Sequence, residues 1–268
     1  MSSKSTASSN PIPKKPTKSS LPADDVRQFR AALKSFLNEK DDEGRKWADA
    51  QWGVYAFYDY DGEPIYVGQT NEQLRVRIQR HLTNQRSDAV AMRILDVFEV
   101  AEVEVWPLWS LDVSDEPNWK KKRTLDACEY TAYINAIDES RFKAILNEKI
   151  PPRSDRVELP SSLRRPLIDD ETRADRGHLD IRIARRAETI GRLAAVARER
   201  GEVSEGLRRV LVVQAVRLAF LAAERLAYVE ARPAPDAGAI DIEKLVGSVL
   251  YERSDPKGES RDPNDATI

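Results

Sequence analysis

The stretch Trp52–Gly68 constrains the fold of this chain more than any other. Gly53-Val54-Tyr55-Ala56-Phe57-Tyr58 and Ile65-Tyr66-Val67-Gly68 are β-branched and aromatic runs on either side of an Asp61-Gly62 pair. Such runs favour extended backbone, and Gly accepts the positive φ that a tight turn demands. The spacing predicts an antiparallel hairpin with a tyrosine near the centre of each strand.

The segments on either side of the hairpin place that ribbon in a mixed fold. Leu74, Ile78 and Leu82 recur at helical spacing, which predicts a helix from Leu74 to about Gln85, with a second short helix over Asp88–Val97. Phe98 to Trp109 suits a third strand with a bulge near Ala101-Glu102. Asp115-Glu116-Pro117 has the acids and early proline of a helix start, and that helix runs to about Ile137. Before the hairpin, Val26, Phe29, Leu33, Phe36 and Leu37 predict an entry helix beginning near Asp24. The expected core is an α/β (α+β) unit, a small antiparallel three-stranded sheet flanked by helices, spanning residues 24–152 and closed by Ala144–Asn147 and Pro151-Pro152.

The flanks differ in composition. Residues 1–23 are rich in Ser, Pro and Lys and are expected to be a disordered tail, as is the polar stretch 252–268. Residues 153–176 read as a linker rich in proline and charge. Beyond it, Leu179–Arg200 and Ser204–Arg232, divided by Gly201, predict a helical hairpin over residues 177–251. The second helix has a broad apolar face around Val210–Leu226, which wants a partner surface: the preceding helix or a second copy of the chain.

No charge-free run approaches the ~20 apolar residues a membrane span requires, and Met1–Ser20 has no apolar signal-peptide core. The single cysteine, Cys128, excludes an internal disulfide and a multi-cysteine zinc site. A cytoplasmic location without membrane association is expected. The net charge of −2 divides unevenly, with about +4 on the tail, about −6 over 24–152 and about +2 over 177–251.

Gly53-Val54-Tyr55 followed by Tyr66-Val67-Gly68 resembles the two signatures of the GIY-YIG nuclease superfamily. The similarity continues along about 100 of the 268 residues. Arg77 and His81 stand one helical turn apart on the next helix, Glu129 on a later one, and Asn147 in a Leu-Asn segment. Taken singly, Tyr55 and Tyr66 are ordinary strand aromatics and Glu129 an ordinary helix former. In family order they imply a DNA endonuclease that uses one divalent ion, Mg²⁺ or Mn²⁺.

The resemblance implies a role for each residue. Tyr55 would orient or deprotonate the attacking water, as phenolate or through a relay with His81, and Tyr66 would hydrogen-bond the same group. Arg77 would hold phosphate oxygens and lower the Tyr55 pKa. Glu129 would bind the metal, and Asn147 would complete the set. Where many members carry lysine after the second signature, this chain has Gln69, so Arg75 becomes a candidate for the missing cation. Arg75, Arg80 and Arg86, with Lys120-Lys121-Lys122-Arg123, are expected to form basic ridges on DNA. Because the unit stands beside extra helices, restriction or phage defence is the expected setting. The alternatives are a mobile-element or repair nuclease, or a non-catalytic DNA-binding or assembly module. His178, in Arg176-Gly177-His178, has no assigned role.

Overall fold

The computed structural model describes residues 23–83 and 96–251. The two tails, Arg86 and most of the expected Asp88–Val97 helix lie outside the described residues. The helices are α1 (Asp24–Phe36), α2 (Leu74–Leu82), α3 (Trp109–Val113), α4 (Asn118–Glu139), α5 (Asp170–Arg176), α6 (Leu179–Arg200), α7 (Glu205–Val229) and α8 (Ile242–Val246). The strands are β1 (Gly53–Tyr58), β2 (Pro64–Thr70), β3 (Glu102–Pro107) and β4 (Leu163–Pro166).

The strands form one antiparallel sheet in the order β2-β1-β3-β4. The hairpin forms where Asp61-Gly62 requires it. Gly62 takes φ +72°, and the Asp59 carboxylate caps the turn by accepting from the amides of Asp61 and Glu63. β1 is central and buried along its whole length, because neighbouring strands cover both edges and helices pack against it.

Three expectations need correction. The sheet has four strands, not three, since residues 163–166 of the expected linker pair with β3, and α5 forms from the same segment. A four-residue strand reading Leu-Arg-Arg-Pro has too little apolar alternation to announce itself, and tertiary pairing decides it. The bulge lies between Phe57 and Tyr58 in the β1–β2 register, while β1 and β3 pair without interruption. β3 also ends at Pro107, and α3 takes up the residues after it.

Helices α6 and α7 occur where the pattern predicts them. Ser204 caps α7 by accepting from the Leu207 amide, and Gly201 ends α6 with φ +68°. His178 is the cap of α6, its Nδ1 accepting from the Asp180 amide at 3.3 Å. Most of the apolar face of α7 packs within the chain. Leu207, Val210, Val213, Val216 and Phe220 are buried in the chain's own core, while Leu226, Tyr228 and Val229 at the end of the helix are exposed.

The polar interruptions of that face also have partners. Arg217 of α7, only 2% exposed, donates to Glu63 Oε1 (3.2 Å), the Pro64 carbonyl (3.1 Å) and the Ala144 carbonyl (2.8 Å). On α6, Arg182 reaches Asp59 (3.0 Å) and Asp61 (2.7 Å), while Arg186 reaches Glu99 (3.1 Å) and the Gln214 side-chain oxygen (3.3 Å). Buried arginines from the C-terminal helices thus neutralise acids at the turn of the tyrosine hairpin and, at Glu99, just before β3. Charges out of water must be paired in this way, so the two parts are held together by more than apolar contact.

Candidate active site

The register sets Tyr55 opposite Gly68 and Phe57 opposite Tyr66. Tyr55, Phe57, Tyr66 and His81 form an aromatic cluster, with the Tyr55 and Tyr66 ring centres 6.1 Å apart and the Tyr66 and His81 centres 5.4 Å apart. α2 supplies His81 because Leu74, Ile78 and Leu82 bury one stripe and leave the neighbouring face directed at the strands.

Within the cluster the Tyr55 phenol oxygen lies 3.0 Å from His81 Nε2 and accepts from Arg77 Nε at 3.3 Å. Arginine can only donate, so with His81 protonated on Nδ1 the phenol is free to donate its own proton to Nε2. Burial drives the Tyr55 pKa well above its ordinary value, and the neighbouring Tyr66 adds to the shift. The Arg77 charge opposes both without overcoming them. Tyr55 is therefore a neutral phenol at neutral pH. Of the two expected modes of action, phenolate and relay, the geometry and electrostatics favour the relay.

Glu129, on α4, belongs to a second group. Gln69 Nε2 donates to Glu129 Oε2 and to Asp126 Oδ1, each at 2.7 Å, and Lys122 Nζ pairs with Asp126. Burial raises the Glu129 pKa to about 7, against the pull of the Gln69 hydrogen bond and the Lys122 charge. The Arg77 charge acts on both Tyr55 and Glu129, which joins the two groups electrostatically. Gln69 Oε1 is buried and has no hydrogen-bond partner. A half-buried carboxylate beside an orphaned amide oxygen is the hard oxygen donor set that suits Mg²⁺ or Mn²⁺.

The other expected site residues have different positions. Asn147 is buried against the second signature, where its Oδ1 accepts from the Val67 amide (3.0 Å) and its Nδ2 donates to the Val67 carbonyl (2.7 Å). It clamps the edge strand as a further strand would. Arg75 is tied to Asp49 (2.5 Å) and the Leu37 carbonyl (2.8 Å). Arg80 is paired with Glu72 at 2.6 Å. On α4, Lys121 donates to the Leu111 carbonyl, Lys120 lies over Trp119, and Lys122 and Arg123 are exposed. The meeting of Asp126 with Gln69 is not legible in the sequence, because an acid at i and another at i+3 on a charged helix carries no signal without the strand they face.

Residues 51–125 match the family model described as GIY-YIG catalytic domain. The matched stretch contains the hairpin, Arg77 and His81, and it ends just before Asp126 and Glu129. No curated protein and no solved structure matches the chain. Over residues 51–125, the stretch that holds both hairpin signatures and the helix that brings His81 to Tyr55, the chain thus matches the GIY-YIG catalytic domain.

Proposed function

We propose that the chain is a DNA endonuclease that hydrolyses phosphodiester bonds with one divalent ion held at Glu129. The observation that carries this reading is the Tyr55 phenol oxygen set between His81 Nε2 and Arg77 Nε. Hydrolysis needs a positioned water, a proton acceptor and positive charge at the phosphate. As the water oxygen bonds to phosphorus and the P–O ester bond breaks, the water proton passes to the Tyr55 oxygen and the phenol proton to His81 Nε2. Arg77 uses one of its five donors on Tyr55, which leaves a forked cation for the phosphate oxygens. Tyr66 packs beside Tyr55 and His81 and keeps the relay aligned. The divalent ion would supply positive charge for the leaving oxygen.

The α4 ridge of Lys120, Lys122 and Arg123, with Trp119 64% exposed beside it, is the surface best suited to DNA, since Arg75 and Arg80 are engaged within the chain. A flat aromatic among cations takes both base and phosphate. The setting we favour is restriction or phage defence in the cytoplasm, because the unit carries added helices and a single cysteine that reducing conditions keep free. Among the described residues no helix is long and apolar enough to cross a membrane. The test is incubation of the purified chain with plasmid DNA and Mg²⁺ or Mn²⁺. Nicking by the wild type that is lost in Tyr55→Phe and Glu129→Ala is expected. A wild type inert over a broad range of metal and pH would return the chain to the binding-module alternative.

A further inference from the structure

The corner of the site where Gln69 replaces the family's usual lysine has a geometry of its own. The amide nitrogen of Gln69 stands 2.7 Å from Asp126 Oδ1 and 2.7 Å from Glu129 Oε2, so two carboxylates converge on one point. Asp126 and Glu129 are i and i+3 on α4 and share a face, which makes the convergence a property of rigid backbone. The same side chain holds its oxygen buried and without a partner. Two acids directed at one neutral amide, with an adjacent orphaned acceptor, have Lys122 on the outer side of Asp126 as their near cation, and a centre of positive charge between them would be shared by all three oxygens.

We infer that Gln69, Asp126 and Glu129 together form the divalent-ion site, with Gln69 and Asp126 as direct oxygen ligands beside Glu129. Rotation of the Gln69 amide about its terminal bond exchanges Nε2 for Oε1 without moving the carboxylates, and turns a bridge between two acids into a third donor. Two carboxylate charges and one divalent ion then balance. Lys122, which now pairs with Asp126, is exposed and can give up that contact. Among the described residues no group of three or more His, Cys, Asp and Glu side chains could hold a metal ion, so the third ligand has to be an amide or water oxygen. A lysine at position 69 would put a fixed cation where the ion binds. Glutamine in its place allows a two-carboxylate site.

The inference rests on the metal reading of this site, and binding tests it independently of cleavage. Mn²⁺ is titrated into the full chain and followed by loss of the free-ion electron paramagnetic resonance signal. Folding of each variant is checked by circular dichroism. Wild type should bind one ion, and Asp126→Asn and Gln69→Leu should each weaken binding about tenfold or more. Gln69→Glu, which keeps an oxygen at that position, should retain it. Folded Asp126→Asn and Gln69→Leu variants that bind Mn²⁺ as wild type does would overturn the proposal. If plasmid nicking in that case still depended on Glu129, the nuclease reading would stand without it. Should Gln69→Leu fail to fold, Asp126→Asn decides the matter alone. A wild type that binds no Mn²⁺ at millimolar concentration also overturns it, and nicking then shows whether the nuclease reading falls too.

Discussion

A Cβ on Gly68 would lie 2.6 Å from the phenol oxygen of Tyr55 and 2.9 Å from the Tyr66 ring. The second signature therefore ends in glycine because the first signature's tyrosine occupies the space where a side chain would be. Gly68→Ala is expected to push the phenol away from His81 and Arg77. Displacement of a reacting group by about an ångström costs on the order of 100-fold in rate. Overpacking of this kind also costs about 1–3 kcal/mol of stability. Nicking kinetics beside a denaturant melt would check both, and an active Gly68→Ala would show that the phenol is not the group that matters.

Asn147 has a structural task in this fold. Its side chain exchanges two hydrogen bonds with the backbone of Val67, between Tyr66 and Gly68. Asn147→Leu leaves both backbone groups buried and unpaired, at about 1–3 kcal/mol each. The expected result is a lower midpoint in urea and a loss of cleavage that tracks the loss of folded protein. Full stability with abolished cleavage would instead assign Asn147 to the chemistry.

Metal-free stability should depend on pH through Glu129. Its folded carboxyl titrates near about 7, above the ordinary value of 4.5, with burial as the chief cause. Between those two values the folded chain holds a proton that the unfolded chain has released. The stabilisation is thus fully present below about 4.5 and is lost as pH rises through about 7. Glu129→Gln removes the loss and should be more stable than wild type by about 1–3 kcal/mol at pH 8 in EDTA, with little difference at pH 5. Melting temperatures at the two pH values provide the check. A variant no more stable than wild type at pH 8 would mean that the carboxylate is well solvated when charged.

The buried arginines make a prediction about the C-terminal helices. Arg217→Met removes the closer cation of buried Glu63 and leaves it Arg141 at 3.6 Å, so the expected cost is at most that of a fully stranded buried charge, about 3–5 kcal/mol. The double change Glu63→Gln with Arg217→Met should cost less than the two single changes summed, because neither charge is then stranded. Truncation after residue 176 removes Arg182, Arg186 and Arg217 together and exposes the acids at the hairpin turn. A fragment 1–176 is therefore expected to lose cooperative unfolding by circular dichroism. If it melted like the full chain, α6 and α7 would be an independent module.

The amino-acid order alone determined the hairpin, the helices on either side of it and the sequence of chemically useful residues along them. These arise from local physics: β-branched runs about Asp61-Gly62, apolar residues at helical spacing, and Arg77 and His81 one turn apart. Tertiary structure decided the contacts between elements. Asp126 meets Gln69 only because α4 packs on β2, Asn147 becomes a clamp only against Val67, and Arg75 and Arg80 are paired with Asp49 and Glu72. β4 and the closure of α7 over its own core likewise depend on pairings between residues far apart in the chain, which no local pattern encodes. The tyrosine signatures were visible in the sequence because their strand is local. The Tyr55–His81 hydrogen bond, the carboxylate corner and the arginine brace were not, since each joins side chains that only the fold brings together.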